Sequence, residues 1–380
     1  MRVLIQQPRL PHYRVPLFNR LVQMHGWAVT LAFTPRIGAG ESGLEVEKAS
    51  LFECVHLPLR QFTLGGVKLN YQRGLLSLLR ARRWDAFFWE GTHANLSGYL
   101  AARLCRRRGI PSICWTKGYF TSENAVRRGM SRFMTRAAHA FLPYGDSTHS
   151  FLAAHGVRPE QIARAYNTVD VEAIAAQEET LRQRGMAMLK AIGWSEARPL
   201  IACVGRLVPQ KRMQDAILAL ATMTRGGLDA YLLIVGDGPE RASLERLAEE
   251  LGVEPRVHFT GRVPENDDSA ALAVADVAVF PGAHGLAINQ AMALGAPVVA
   301  ADLPGPDGEM VRHEETGWRY PLGTAEMMVE TLRSAIECPQ RKTVTENARA
   351  EILQKRSLTR YAQAFHQAVQ IAQRERGADL

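Results

Sequence analysis

The chain has 380 residues, a net charge of +8 and 47% hydrophobic residues, which suits a soluble protein with two domains better than one. No apolar run reaches the roughly 18 residues of a membrane-spanning helix, so an integral membrane protein is not expected. The five cysteines are scattered and form no Cys-x-x-Cys, which predicts reduced thiols and a cytoplasmic protein. The opening residues are too few and too polar for a secretory signal and predict a first strand.

The charge is unevenly distributed along the chain. Residues 1–170 contain 23 Lys and Arg against 10 Asp and Glu, whereas the remainder contains 23 against 28. A basic first half suits an anionic partner such as a bilayer surface, a lipid diphosphate or a nucleic acid. A solvated basic face explains the same pattern equally well.

Short β-branched runs alternate with helical stretches, which predicts parallel sheets with helices on both faces. In the first half we expect strands at 2–6, 28–33, 86–89, 112–115 and 140–143, and helices at 71–83 and 96–108. A second series of strands is expected at 199–204, 230–235, 257–260, 277–280 and 297–300. A polar helical stretch at 171–192 separates the two series, and a lone amphipathic helix at 358–374 ends the chain.

These elements predict an N-terminal domain over 1–170, a linker over 171–197 and a C-terminal domain over 198–356. The last segment, 357–380, is expected to cross back and pack on the first domain. Ligands of open α/β sheets bind beyond the carboxyl ends of the strands, so polar motifs at those ends are candidate site residues.

One apolar strand ends in Gly205 and Arg206, and Lys211 follows five residues later. Glycine lets the backbone approach a ligand closely, and two cations lie near the start of a helix predicted at 213–223. An arginine and a lysine in this position suit a diphosphate. A strand-to-helix turn with surface charges is the alternative interpretation.

The segment 204–211 resembles the Gly-Arg-Leu…Lys loop of family 4 GT-B glycosyltransferases, the glycosyl transferases group 1. Four further segments follow in the family's order, at 234–240 (with Gly-Asp-Gly-Pro), 259–264, 275–281 and 290–300. The resemblance covers 167 to about 318 well, and the first half matches only in outline, chiefly at 9–17 and 166–170. It implies an α/β GT-B fold, with two Rossmann-like doubly wound domains facing across a cleft.

The resemblance further implies a hexosyltransferase that moves a sugar from a UDP or GDP sugar to an acceptor hydroxyl with retention. Its donor residues would be Arg206 and Lys211 for the diphosphate, with Gly205 at the turn, Gly261, Arg262 and Val263 for the base, and Gln290 for the ribose. The sugar would lie against the turn that contains His284, Gly285 and Leu286. The nucleotide sugar is then a co-substrate, and no metal cofactor is expected because no Asp-x-Asp follows a strand.

The donor loop departs from the family pattern. Many members carry two glutamates eight positions apart, where this chain has Gly282 and Gln290. An amide can still bond a ribose without charge, and a glycine offers only backbone. For His284, a solvent-facing loop position is the alternative to ligand contact. The lost glutamates motivate an alternative function, a non-catalytic GT-B-like sugar-nucleotide-binding or accessory protein.

The first half contributes acid–base candidates at its strand ends. Glu90 and His93 follow one strand, and His12 lies in the opening loop. Lys117 follows another strand and suits a donor phosphate or an anionic acceptor. Alternatively, Glu90 and His93 form ordinary hydrogen bonds to loop backbone, and Lys117 is an ordinary surface lysine.

The expected acceptor is a glycan, a lipid-linked molecule or a small molecule, in polysaccharide, lipid-linked glycan or secondary-metabolite biosynthesis. Basic and apolar residues alternate over 126–136, which suits a peripheral contact with the inner membrane face, although an ordinary helix explains them at least as well. The chain lacks a phosphate-binding P-loop and a dinucleotide fingerprint. It also lacks a known nucleic-acid-reading module, so no nucleic-acid partner is expected.

Overall fold

The computed structural model describes residues 1–35, 50–64, 67–92, 94–118, 133–194, 198–264, 267–306, 308–323 and 325–378. They form two compact units. The first unit combines Met1–Asp170 with Leu358–Leu380, and the second is Val171–Ser357. The predicted linker at 171–197 thus contributes its described residues to the second unit. Within these residues, no helix has the length and apolar character required to cross a bilayer.

The described part of the first unit is built around a parallel sheet of six strands with the order β3-β2-β1-β6-β7-β8. Its strands are β1 (Arg2–Gln6), β2 (Ala28–Phe33), β3 (Glu53–His56), β4 (Leu59–Leu64), β5 (Val67–Gln72), β6 (Ala86–Glu90), β7 (Ser112–Thr116) and β8 (Ala140–Pro143). Its helices before the second unit are α1 (Val15–His25), α2 (Leu75–Ala81), α3 (Leu96–Arg107) and α4 (Asp146–Ala154). The strands β4 and β5 stand outside this sheet as an antiparallel hairpin.

The hairpin corrects the helix predicted over 71–83. Gln72 ends strand β5 and is buried, with its Nε2 donating to the Gln7 carbonyl at 2.9 Å. Gln6 Nε2 in turn donates to Gln72 Oε1 at 2.6 Å. These bonds to a distant strand outweigh the local helical pattern, so the helix begins only at Leu75, after a turn at Gly74.

The described residues of the second unit repeat this architecture with the strand order β11-β10-β9-β12-β13-β14. The strands are β9 (Leu200–Val204), β10 (Tyr231–Val235), β11 (Val257–Gly261), β12 (Val277–Phe280), β13 (Val298–Asp302) and β14 (Trp318–Pro321). The helices are α5 (Val171–Ala176), α6 (Glu178–Ala191), α7 (Met213–Arg225), α8 (Arg241–Glu250), α9 (Asp267–Ala273), α10 (Ala287–Ala293), α11 (Ala325–Glu337) and α12 (Arg341–Lys355). Strands β3 and β14, which the sequence analysis missed, both lie at sheet edges.

The C-terminal helix α13 (Leu358–Ala378) packs in the first unit. Its Phe365 is fully buried beside Phe88 of β6, with 4.9 Å between ring centroids. Trp115 Nε1 of β7 donates to the hydroxyl of Tyr361 at 2.7 Å. The core of the first unit is therefore completed by a helix that follows the whole second unit in sequence.

Candidate functional site

Three strand ends of the second unit meet at the carboxyl edge of its sheet. The Gly205 amide donates to the Val235 carbonyl at 2.9 Å, and the Gly236 amide donates to the Gly261 carbonyl at 3.0 Å. The turns that follow β9, β10 and β11 are thus joined side by side through their backbones. Three of the motif segments predicted from sequence, at 204–211, 234–240 and 259–264, therefore lie at one edge of one sheet.

Lys211 ends a short 3₁₀ helix, Pro209–Lys211, and its ammonium lies between two glycine turns. Its Nζ donates to the His284 carbonyl at 2.9 Å. The Nζ would also lie 3.5 Å from a Cβ placed on Gly205 and 3.0 Å from one placed on Gly285. A positive charge is consequently held where the β9 turn meets the loop after β12.

Arg206 follows Gly205 and is exposed, and its guanidinium makes no hydrogen bond to a described residue. Arg262 is likewise exposed and follows the end of β11, with half-buried Val263 next to it. Two guanidinium groups therefore stand at this sheet edge without a structural partner among the described residues. Such groups are available to bind an anion in a forked arrangement.

Gly282 has no room for a side chain. A Cβ there would lie 2.3 Å from the Gln210 carbonyl oxygen and 2.8 Å from the carbonyl carbon of Lys211. The adjacent Ala283 amide donates to the same Gln210 carbonyl at 2.8 Å, which locks the two loops together. The backbone that carries Lys211 thus leaves no space for a side chain at position 282, where many family members have the first glutamate.

The structure corrects the prediction that the His284 side chain binds a ligand. The imidazole is only 1% exposed, and its Nε2 lies 3.1 Å from the Ala301 carbonyl on β13. Because a carbonyl only accepts, Nε2 carries the proton. The side chain is therefore neither ligand-facing nor solvent-facing, and position 284 offers only its backbone at this edge.

Gln290 lies on α10 and is half-buried. Its Nε2 donates to Asp268 Oδ2 at 3.2 Å and to Ser269 Oγ at 3.2 Å. A carboxylate accepts only, so the amide nitrogen must face Asp268. The Oε1 atom makes no hydrogen bond to a described residue and remains an available acceptor.

In the first unit, Glu90 ends β6 and lies near the buried Arg14. Burial raises the pKa of Glu90 to about 7, and the positive charge of Arg14 opposes that rise. The Arg14 side chain stacks over Trp115, with 4.7 Å from Cζ to the ring centroid, and donates through Nη2 to Asn167 Oδ1 at 2.7 Å. Its buried Nη1 has no hydrogen-bond partner among the described residues.

The other candidate residues of the first half lie in different environments. His12 is exposed at the 3₁₀ helix His12–Arg14, edge-on to Tyr13, and Lys117 is exposed after β7. His93 lies outside the described residues, as does most of the basic run 126–136. The structure therefore places Glu90 near Arg14. The sequence analysis selected Glu90 but not Arg14.

Two polar residues at these sites were missed or discounted. Arg14 follows an exposed His-Tyr pair, and nothing in the local pattern distinguishes a buried arginine from a solvated one. The sequence analysis did not select Asp268 either, and the structure shows that Asp267 and Asp268 begin helix α9. A helix that starts after a strand-end turn was the signal that could have identified it.

Two family models match the chain. The model of the glycosyl transferases group 1 matches residues 187–351, and that of glycosyltransferase family 4 matches residues 17–173. The two matches fall on the two halves of the chain, and the first half, which had matched only in outline, is thereby included.

Curated relatives agree with the family models. The chain is 30% identical over 325 residues to the 2-deoxystreptamine glucosyltransferase of Streptomyces kanamyceticus, covering 78% of this chain and 75% of that one. It is 32% identical over 240 residues to a GDP-mannose-dependent alpha-(1-6)-phosphatidylinositol monomannoside mannosyltransferase of Mycobacterium tuberculosis. That alignment covers 60% of this chain and 54% of the relative.

Solved structures match over nearly the whole chain. Anabaena HepE in complex with UDP and glucose has a TM-score of 0.75 at 19% identity, covering 97% of this chain and 99% of that one. WaaG, a glycosyltransferase involved in lipopolysaccharide biosynthesis, has a TM-score of 0.67 at 19% identity over 97% of this chain and 99% of that one. At this identity the likeness shows the fold. With the family models and relatives, it establishes that this chain belongs to family 4 of the GT-B glycosyltransferases and is a hexosyltransferase-type enzyme.

Proposed function

We propose that the enzyme transfers a sugar from a UDP or GDP sugar to an acceptor hydroxyl, with retention and without a metal cofactor. The observation that carries this proposal is the position of the Lys211 ammonium between the Gly205 and Gly285 turns, beside exposed Arg206. Two cations at one strand end match the charge of a leaving nucleoside diphosphate. They would stabilise the charge that develops as the glycosidic bond breaks.

The other donor contacts follow from the same sheet edge. Gly261, Arg262 and Val263 would hold the base, and Gln290 would accept from the ribose through its available Oε1. The sugar would lie against the backbone of the turn at 283–286. Among the similar proteins, HepE was crystallised with UDP and glucose, and the mycobacterial relative is named as GDP-mannose-dependent. These relatives support a nucleotide-sugar donor and leave both UDP and GDP as candidates.

The acceptor would bind the first unit near Glu90. A carboxyl group with a pKa of about 7 is suited to take the proton of an acceptor hydroxyl at neutral pH. The exposed side chains of His12 and Lys117 would be further contacts of the acceptor. One relative is named for 2-deoxystreptamine and another for a phosphatidylinositol monomannoside, and the proposed acceptor is a glycan, a lipid-linked molecule or a small molecule. A lipid-linked acceptor would be reached from the cytoplasm through a peripheral membrane contact.

The experiment is a thermal-shift screen against UDP, GDP and ADP and their common sugar conjugates, followed by an assay of donor hydrolysis. A ligand that binds only the folded protein raises its melting temperature. We expect one nucleotide to raise it for the wild type and not for Arg206→Ala. The control is Arg246→Ala, which removes an exposed arginine of the same unit on α8. No shift by any nucleotide at millimolar concentration would contradict the proposal.

The second candidate function is a non-catalytic sugar-nucleotide-binding or accessory protein. The observation in its favour is that neither position 282 nor position 290 carries a carboxylate. Nucleotide binding alone fits both candidates, and slow hydrolysis of the bound sugar nucleotide separates them. Release of free sugar that depends on Arg206 would exclude the non-catalytic function.

A further inference from the structure

Two neighbouring carboxylates begin helix α9, and the fold uses them differently. Asp267 forms an ion pair with Arg184 of helix α6. Asp268 has no ion-pair partner among the described residues and accepts from Gln290 Nε2 at 3.2 Å through Oδ2. Its Oδ1 accepts from the Ser269 amide at 2.8 Å. One carboxylate therefore joins α9 to α6 through an ion pair, and the other contacts the amide of Gln290 on α10 through a hydrogen bond.

This contact explains why position 290 holds an amide. A glutamate there would place a second carboxylate against Asp268, and two like charges at hydrogen-bond distance repel each other strongly. The glutamine instead donates to Asp268 and keeps its own oxygen available. The two positions together carry one carboxylate and one amide.

We propose that Asp268 supplies the carboxylate that binds the ribose hydroxyls of the donor, with Gln290 holding it in position. The inference rests on the proposed function, because it assumes that a nucleotide binds at this edge. Asp268 follows the Gly261–Val263 turn, the proposed base contact, by five positions and touches the proposed ribose contact. A charged acceptor bonds hydroxyl groups more strongly than a neutral one, so this carboxylate selects ribonucleotides over 2′-deoxyribonucleotides.

The test is a titration of the full-length protein with UDP, GDP, 2′-deoxy-UDP and 2′-deoxy-GDP by calorimetry. We expect the wild type to bind a ribonucleotide roughly tenfold or more tightly than its deoxy counterpart, as expected for a bond between a hydroxyl and a charged acceptor. In Asp268→Asn this preference should shrink towards equality. In Asp267→Asn, the matched control, it should remain.

The ratio of the two affinities does not depend on how much protein is folded, so a modest loss of stability leaves the test intact. Asparagine is nearly isosteric with aspartate and keeps an oxygen for the Ser269 amide. If Asp268→Asn prefers ribonucleotides as strongly as the wild type does, this inference is overturned and the proposed function is not affected. Absence of binding by all four nucleotides in the wild type would overturn the proposed function with it.

A second measurement moves the carboxylate from one position to the other. Gln290→Glu should weaken ribonucleotide binding roughly tenfold or more, because the new carboxylate faces Asp268. The double variant Gln290→Glu with Asp268→Asn again has one carboxylate and one amide, and we expect it to recover most of the lost affinity and the ribose preference. Tighter ribonucleotide binding by Gln290→Glu alone would overturn the inference.

Discussion

The two units have the same strand order, yet they hold their strand ends together differently. In the second unit, backbone bonds from Gly205 to Val235 and from Gly236 to Gly261 join neighbouring turns. In the first unit, backbone bonds such as that from the Gly91 amide to the Trp115 carbonyl are supplemented by side chains. Asn95 Nδ2 donates to Gln6 Oε1 at 2.8 Å, and Gln6 bonds Gln72. A site formed by backbone groups requires glycines at fixed spacings, so it can be recognised as a motif in the sequence. A site formed by side chains corresponds only to isolated polar residues in the sequence.

A side chain at Gly282 is expected to have the largest effect, because it tests whether the site of the second unit depends on closely packed backbone. Gly282→Glu restores the family's glutamate, and we expect it to abolish transfer, because its Cβ would collide with the backbone of Gln210 and Lys211. Overpacking of this kind costs about 1–3 kcal/mol, and here it also displaces the Lys211 ammonium. Thermal unfolding and donor hydrolysis measure both effects, with Gly282→Ala separating the steric clash from the charge. A gain of activity in Gly282→Glu would contradict the backbone-built site.

Removal of Arg206 tests the charge at this sheet edge. Because the side chain is exposed and makes no bond to a described residue, Arg206→Ala should unfold like the wild type. Turnover should fall by roughly two to three orders of magnitude, as for other groups that stabilise developing negative charge. Lys211→Ala should reduce turnover similarly and should also loosen the loop at His284, to which it donates. Steady-state rates that match Arg246→Ala would refute the assignment.

Glu90 tests the side-chain-built site of the first unit. If its carboxylate takes the acceptor proton, transfer should increase as the pH rises through about 7, where this group loses its proton. Glu90→Gln should remove that pH dependence and lower transfer by roughly 100-fold. Donor hydrolysis without an acceptor, measured in parallel, should change little. An unchanged pH profile in the variant would exclude Glu90 as the base.

The same carboxyl group should also affect stability. The pKa of Glu90 is raised in the folded protein. Its contribution to the free energy of unfolding is therefore fully present below the ordinary glutamate pKa and is lost as the pH rises through about 7. A pKa shift of this size corresponds to about 3 kcal/mol in the free energy of unfolding. Denaturant unfolding of the wild type should show this decline between acid and neutral pH, and Glu90→Gln should flatten it. If the free energy of unfolding depends on pH in the same way in both proteins, the raised pKa of Glu90 is refuted.

The smallest expected effect concerns the helix that completes the first unit. Tyr361→Phe removes the acceptor of the buried Trp115 Nε1 and should cost about 1–2 kcal/mol in the free energy of unfolding. Nucleotide binding should not change, because helix α13 belongs to the first unit. Denaturant unfolding and calorimetry measure the two quantities. A loss of nucleotide affinity in this variant would contradict the separate roles of the two units.

The sequence by itself determined the parallel α/β architecture, the central strands of both sheets and the positions of Arg206 and Lys211. Central strands are apolar runs, and the turn motif at Gly205 is local, so both can be read from adjacent residues. Strands β3 and β14 and the hairpin β4–β5 were missed, although the other two edge strands, β8 and β11, were predicted. β3 and β14 are only partly buried and carry a weak apolar pattern, and the hairpin depends on bonds to Gln6 and Gln7.

Only the tertiary structure decided which polar side chains face outward, inward or each other. His284 is buried with its Nε2 hydrogen-bonded to the Ala301 carbonyl of the next strand, and the space at Gly282 is filled by a loop some 70 residues earlier in the chain. Asp268 bonds Gln290 from a different helix, and Arg14 lies over Trp115 of a distant strand. Each of these contacts joins residues far apart in the chain, and a pattern of neighbouring residues carries no information about such distances.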